Sequence, residues 1–75
     1  MEHVAHETAE RIRRRREAAG LNQQILATNA GIALRTLNRI EAGEDARLTT
    51  LARIANALGC TVSELLADPL EAGAA

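Results

Sequence analysis

Between Asn22 and Gly43 the chain reads NQQILATNAGIALRTLNRIEAG, and this stretch leaves little freedom of fold. Its apolar residues recur at helical spacing in two short runs. Leu26 and Ala27 mark the inward face of the first run, and Leu37 and Ile40, three apart, mark that of the second. Ala30-Gly31-Ile32 between them is too short for anything but a tight turn, and glycine tolerates the left-handed backbone such a turn needs. Leu34, Arg35, Asn38 and Arg39 fall away from the Leu37/Ile40 side. Arg35 and Arg39 are four apart, hence neighbours on a helix surface.

The rest of the chain divides around this pair. Thr8 to Ala19 is helical in pattern, with Thr8 a candidate N-cap, Gly20 a stop, and Ile12, Ala19 and Ala9 facing inward. Residues 1–7 are a polar lead-in to this helix. Arg13-Arg14-Arg15-Arg16 wraps around the helix, so its four charges cannot share one role. Asn22 caps the second helix, Gln23 is its first residue, and the third covers about Ala33 to Ala42. Leu48 to Leu58 is a fourth, with Leu48, Leu51, Ile54, Ala55 and Leu58 spaced for one apolar face. Gly59 ends it, and Thr61-Val62-Ser63-Glu64 reads as a capping box opening a fifth helix through Ala67. Pro69 stops that helix and residues 69–75 are expected to be a disordered tail. The expectation is an all-α domain over residues 8–68.

A short helix that turns two arginines and an amide outward, braced by another across a glycine turn, is the helix-turn-helix arrangement for reading DNA. The chain resembles the Xre, or lambda-repressor-like, helix-turn-helix family. The residues that carry the likeness are Gly20-Leu21-Asn22-Gln23, Leu26-Ala27, Gly31-Ile32, Thr36-Leu37, Arg39-Ile40-Glu41 and Gly43. Beyond them come Leu48, Thr50-Leu51, Ile54-Ala55, Ala57-Leu58-Gly59 and Val62, so the match spans Ile12 to Asp68. The resemblance implies a five-helix lambda-repressor-like fold whose third helix enters the major groove. It implies base contacts from Leu34, Arg35, Asn38 and Arg39, and backbone contacts from Asn22, Gln23 and Ala33. Arg13 and Arg47 are further candidates for the backbone, and Arg14 and Arg15 for backbone contact or plain solvation. Guanidinium groups match the paired acceptors on guanine, so Arg35 and Arg39 are the strongest candidates, while Leu34 offers only contact to a thymine methyl or to protein. The resemblance also implies a structural ion pair between Arg16 and Glu41, and a two-fold dimer contact in which Leu66 takes part while Val62 and Leu65 stay in the core. Thr36 is expected to pack against the second helix, and Ile25 to be exposed where the family carries a polar residue.

Three departures reduce the expected affinity of a single copy. Ala33 replaces the family's usual Ser/Thr cap, Ala42 replaces a common asparagine, and the loop Glu44-Asp45-Ala46-Arg47 is acidic and one residue shorter than the commonest form. Charge placement nevertheless favours nucleic acid. The net charge is −1, but all nine basic residues are arginines between Arg11 and Arg53, with only four acids among them, so that window carries +5 and the flanks −6. Phosphate attraction follows the local field. No aromatic residue is present, which removes the stacking platforms used on single strands and points to a duplex.

Other classes fare worse. No Ser/His/Asp, Cys/His or clustered-carboxylate arrangement supports an enzyme, and a chain of 75 residues has little room for a pocket. His3 and His6 without a third ligand make no metal site, and no cofactor is expected. Cys60, the single cysteine, reads as a structural thiol. No run of 18 apolar residues or signal-peptide core occurs, so the expectation is a cytoplasmic protein with no membrane role. The leading reading is a sequence-specific duplex-DNA-binding transcriptional regulator, a repressor acting as a homodimer by occupancy. The alternative is an antitoxin or other protein-binding module that sequesters a partner such as a toxin and autoregulates its promoter.

Overall fold

The computed structural model describes the backbone of residues 2–67 and the side chains of residues 5–67. Among these residues the chain forms five helices: α1 (Glu2–Ala18), α2 (Gln23–Ala30), α3 (Leu34–Glu41), α4 (Leu48–Leu58) and α5 (Val62–Leu66). No strand occurs among them. α2 packs on α3 and α4, while α1 lies across α3 and reaches α5. Ile12 of α1, Leu26 of α2, Leu37 of α3, Ile54 of α4 and Leu65 of α5 are fully buried, so each helix contributes one large aliphatic side chain to a single core. Without aromatics, that core is filled by branched aliphatics with alanines (Ala27, Ala30, Ala55) at the close approaches. No helix among the described residues is long and apolar enough to cross a membrane.

The turn that sets α2 against α3 depends on Gly31. Its backbone is left-handed, at φ 71, and its N–H and that of Ile32 donate to the carbonyls of Thr28 (3.1 Å) and Ala27 (3.0 Å). Two carbonyls at the end of α2 are thereby satisfied while the chain reverses direction. A side chain here would be strained, and its Cβ would also meet an Arg53 guanidinium nitrogen at 3.4 Å. α1 and α4 end in the same way at Gly20 and Gly59. At the other ends, Asn22 Oδ1 accepts from the Ile25 N–H at 2.8 Å, and the Thr61/Glu64 box is complete in both directions (3.1 and 2.8 Å). The Thr61 N–H, donating to the Glu64 carboxylate, holds it below its usual pKa.

Helix bounds and inward faces depart from the sequence expectations at four places. α1 begins at Glu2, so Thr8 is not a cap but a buried residue inside the helix. Residues 2–7 continue the helix, helped by a Glu7–Arg11 pair one turn apart (3.8 Å). Ala19 lies beyond the end of α1 and is exposed; Ala9 and Ile12 carry the inward face instead. Leu48, the first residue of α4, is 67% exposed, and the buried face begins at Leu51. α5 ends at Leu66, one residue early, and leaves Leu66 half-exposed beside buried Leu65. Cys60 is half-buried against the core, and that burial raises its thiol pKa. The tail expected over 69–75 lies outside the described residues.

Candidate nucleic-acid interface

α3 is two-sided. Leu37 and Ile40 are buried, while Arg35, Asn38 and Arg39 are exposed on the opposite side. Leu34 is shared between the two sides: it is half-buried and packs on the edge of the core, so only part of it faces outward. Ala33 sits in extended backbone at the N-cap with no side-chain hydrogen bond, which leaves the first amides of α3 without a capping oxygen. The substitution Ala33→Ser is expected to raise stability by about 1 kcal/mol and the melting temperature by about 4–8 °C, read by thermal unfolding. An unchanged melt would show that those amides already have a partner in solution.

The far end of α3 is held by a buried polar network centred on Glu41, which is 4% exposed. Arg16 reaches it from α1 in a two-point contact, with Nε to Oε2 at 2.8 Å and Nη2 to Oε1 at 3.1 Å. The same guanidinium donates to the Leu21 carbonyl at 2.9 Å, and hydrogen bonding to the Glu41 carboxylate raises its pKa. Gln23 of α2 adds its amide to Oε1 at 3.0 Å. Arg13 donates to the Glu41 backbone carbonyl at 2.7 Å and to the Glu10 carboxylate at 2.6 Å, so it caps the C-terminus of α3. Three helices thus converge on one residue at the end of the outward-facing helix.

This network redistributes the candidates for DNA contact. Gln23, placed at the DNA backbone by the resemblance, donates to Glu41, and Arg13, a candidate for backbone contact or solvation, is engaged by the Glu41 carbonyl and by the exposed Glu10 carboxylate. Asn22 remains at the exposed start of α2, its oxygen used as a cap, and α2 has no acidic residue in its first turn. Arg47 is exposed at the N-cap of α4 and makes no side-chain cap there. Thr36, half-buried, is among the residues lining a hollow with Arg39, the 44–47 loop and Thr50. Arg35, Arg39 and Arg47 therefore supply exposed cations along α3 and the loop that follows it.

Among the arginines of α1, the structure gives Arg11 a role that the sequence reading missed. It is buried (5% exposed), donates to the Leu66 carbonyl at 3.1 Å, and so ties α5 to α1. Arg15 pairs loosely with Glu64 at 3.9 Å, and Arg14 is exposed. No signal inside RIRRRR separates these roles, because the charges are contiguous and only the packed neighbours distinguish them. His6 lies over Gly43, its Nδ1 3.7 Å from where a Cβ would stand. No group of three or more potential metal ligands occurs among the described residues.

Comparison with known proteins agrees with this geometry. The Helix-turn-helix family model matches residues 12–65. No curated protein matches the chain. Among solved structures, the crystal structure of apo-HppE is similar at 32% identity and TM-score 0.76, over 85% of this chain and 36% of that one. The hydroxypropylphosphonic acid epoxidase from S. wedmorenis is similar at 30% identity and TM-score 0.79, over 89% of this chain and 36% of that one. The chain thus spans little more than a third of the length of those proteins. With five helices, a glycine turn between the second and third, and a family match over most of its length, the chain belongs to the Xre, lambda-repressor-like helix-turn-helix family, a family of DNA-binding domains.

Proposed function

We propose that this domain is a sequence-specific regulator of transcription that reads duplex DNA with α3 and acts in the cytoplasm as a repressor. The observation that carries the reading is the pairing of exposure with restraint on α3. Arg35, Asn38 and Arg39 face out, while Leu37, Ile40 and Glu41 fix the helix from behind. A recognition helix must hold its donors in a fixed register for base edges to be distinguished, and arginine suits guanine while asparagine suits adenine. Leu34 presents an apolar edge suited to a thymine methyl. Backbone contacts fall to Asn22, Ala33 and Arg47 at the starts of α2, α3 and α4, where helix N-termini favour phosphate. Two copies, meeting through Leu66, would occupy half-sites about 34 Å apart. The likeness to the epoxidase structures supports a shared module over 36% of their length, and the reading here rests on the module alone.

Selection from a pool of randomised duplexes tests this. The expected outcome is convergence on a two-fold symmetric sequence with half-sites one helical turn apart. Recovery of unrelated sequences at every round would contradict it.

Ile25, 44% exposed on α2, favours a second reading in which the domain also holds a protein partner such as a toxin. That reading predicts a stable complex with a toxin encoded beside its gene, lost on Ile25→Glu.

A further inference from the structure

The hollow beside the recognition helix contains two opposing sets of groups. Arg39, Arg47, Thr36 and Thr50 line it with cations and hydroxyls, and Glu44 and Asp45 line it with carboxylates. α4 opens there with no side-chain cap and no acidic residue in its first turn. Two guanidinium groups, hydroxyls and uncapped amides are what a phosphate oxygen seeks. The carboxylates are what it avoids. Both acids are exposed, and neither forms an ion pair or side-chain hydrogen bond among the described residues. The 44–47 loop is shaped by backbone bonds, such as the Glu44 N–H to the Arg39 carbonyl at 3.1 Å, and does not need these two side chains. Their charge therefore acts on whatever enters the hollow.

We infer that Glu44 and Asp45 are affinity determinants that oppose phosphate at the start of α4 and limit how much of DNA binding comes from backbone attraction. This rests on the DNA reading above. Binding to unrelated duplex is almost wholly electrostatic, so a local anion reduces it directly. A single copy is then held weakly by any DNA, and stable occupancy requires base contacts from two copies on one site. The carboxylates thus set a threshold, since phosphate attraction alone does not fill the site.

The test compares the wild-type chain with the double variant Glu44→Gln/Asp45→Asn on an unrelated duplex and on a single half-site duplex, at two salt concentrations. Because both changes also raise net charge, a charge-matched control carries Glu7→Gln/Glu17→Gln, two exposed acids of α1 that do not line the hollow. The expected result is about tenfold tighter binding of either duplex by the hollow variant at about 50 mM salt, most of it gone by about 200 mM. Its salt slope should steepen by roughly one to two, while the control changes little in binding and the hollow variant melts with the wild type. Equal gains in variant and control would overturn the local role, as would no gain by the hollow variant where the wild-type chain binds DNA. If no protein in the set binds any duplex, the DNA reading itself fails and this inference fails with it.

Discussion

Glu41→Ala is expected to destabilise the domain by about 3–5 kcal/mol, the cost of leaving a buried charge without its partner. Arg16 loses both of its contacts to the carboxylate, at 2.8 and 3.1 Å, and Gln23 loses its acceptor. A domain of this size has about 5–15 kcal/mol of stability in all. The melting temperature should therefore fall by well over about 10 °C, followed by circular dichroism. Arg16→Ala should fall about as far, since it strands the more buried carboxylate with Gln23 as its remaining side-chain donor. The joint change Arg16→Met/Glu41→Leu separates charge from packing: it should recover most of the loss, because replacing both ions with apolar side chains removes the desolvation penalty. A single variant that melts with the wild type would show that the network contributes nothing to holding α3.

The second large effect is on binding. Arg35→Ala/Arg39→Ala should weaken the complex with a selected site by about 2–6 kcal/mol, roughly thirtyfold to twenty-thousandfold, since each guanidinium paired to a base contributes about 1–3 kcal/mol of discrimination. The two side chains are one helical turn apart, so their losses need not be additive. Both are exposed, and the melt should stay within about 0.5 kcal/mol of wild type. Binding to unrelated duplex should fall much less, by the loss of phosphate attraction alone. Asn38→Ala offers an intermediate case, with specificity relaxed at one base position. Equal weakening on both duplexes would reduce the two arginines to phosphate contacts.

The capped helix termini were the most legible elements in the sequence. Gly31, Asn22 and the Thr61/Glu64 box each carry a local mechanism, and each shapes the backbone as that mechanism requires. The core at Leu26, Leu37 and Ile54 follows from spacing alone. What could not be read depended on neighbours distant in sequence. The start of α1 was misplaced because Thr8 resembles a cap, while the residues before it are polar and show no apolar period. Leu48 fits the period of α4, yet nothing lies over it, since periodicity identifies a face and not its extent. Arg11 and Arg13 look interchangeable within their run, but one reaches the end of α5 and the other the end of α3. Gln23, at the start of α2, turns toward Glu41, eighteen residues later.

The same long-range contacts explain why a modest surface suffices for the site. α3 spans eight residues and has no side-chain cap at its start, a poor helix in isolation. Burial of Leu37 and Ile40 and the Glu41 network hold it in place. The contacts proposed for the bases thus depend on residues buried behind α3.

The most direct measurement is equilibrium binding of the wild-type chain and Arg35→Ala to a selected duplex and to an unrelated one, at two salt concentrations. The account predicts that the wild type prefers the selected duplex at both salts, and that Arg35→Ala loses that preference while keeping a similar salt slope. Binding of both duplexes alike, with the preference absent from wild type and variant and the affinity falling steeply with salt, would contradict base reading by α3.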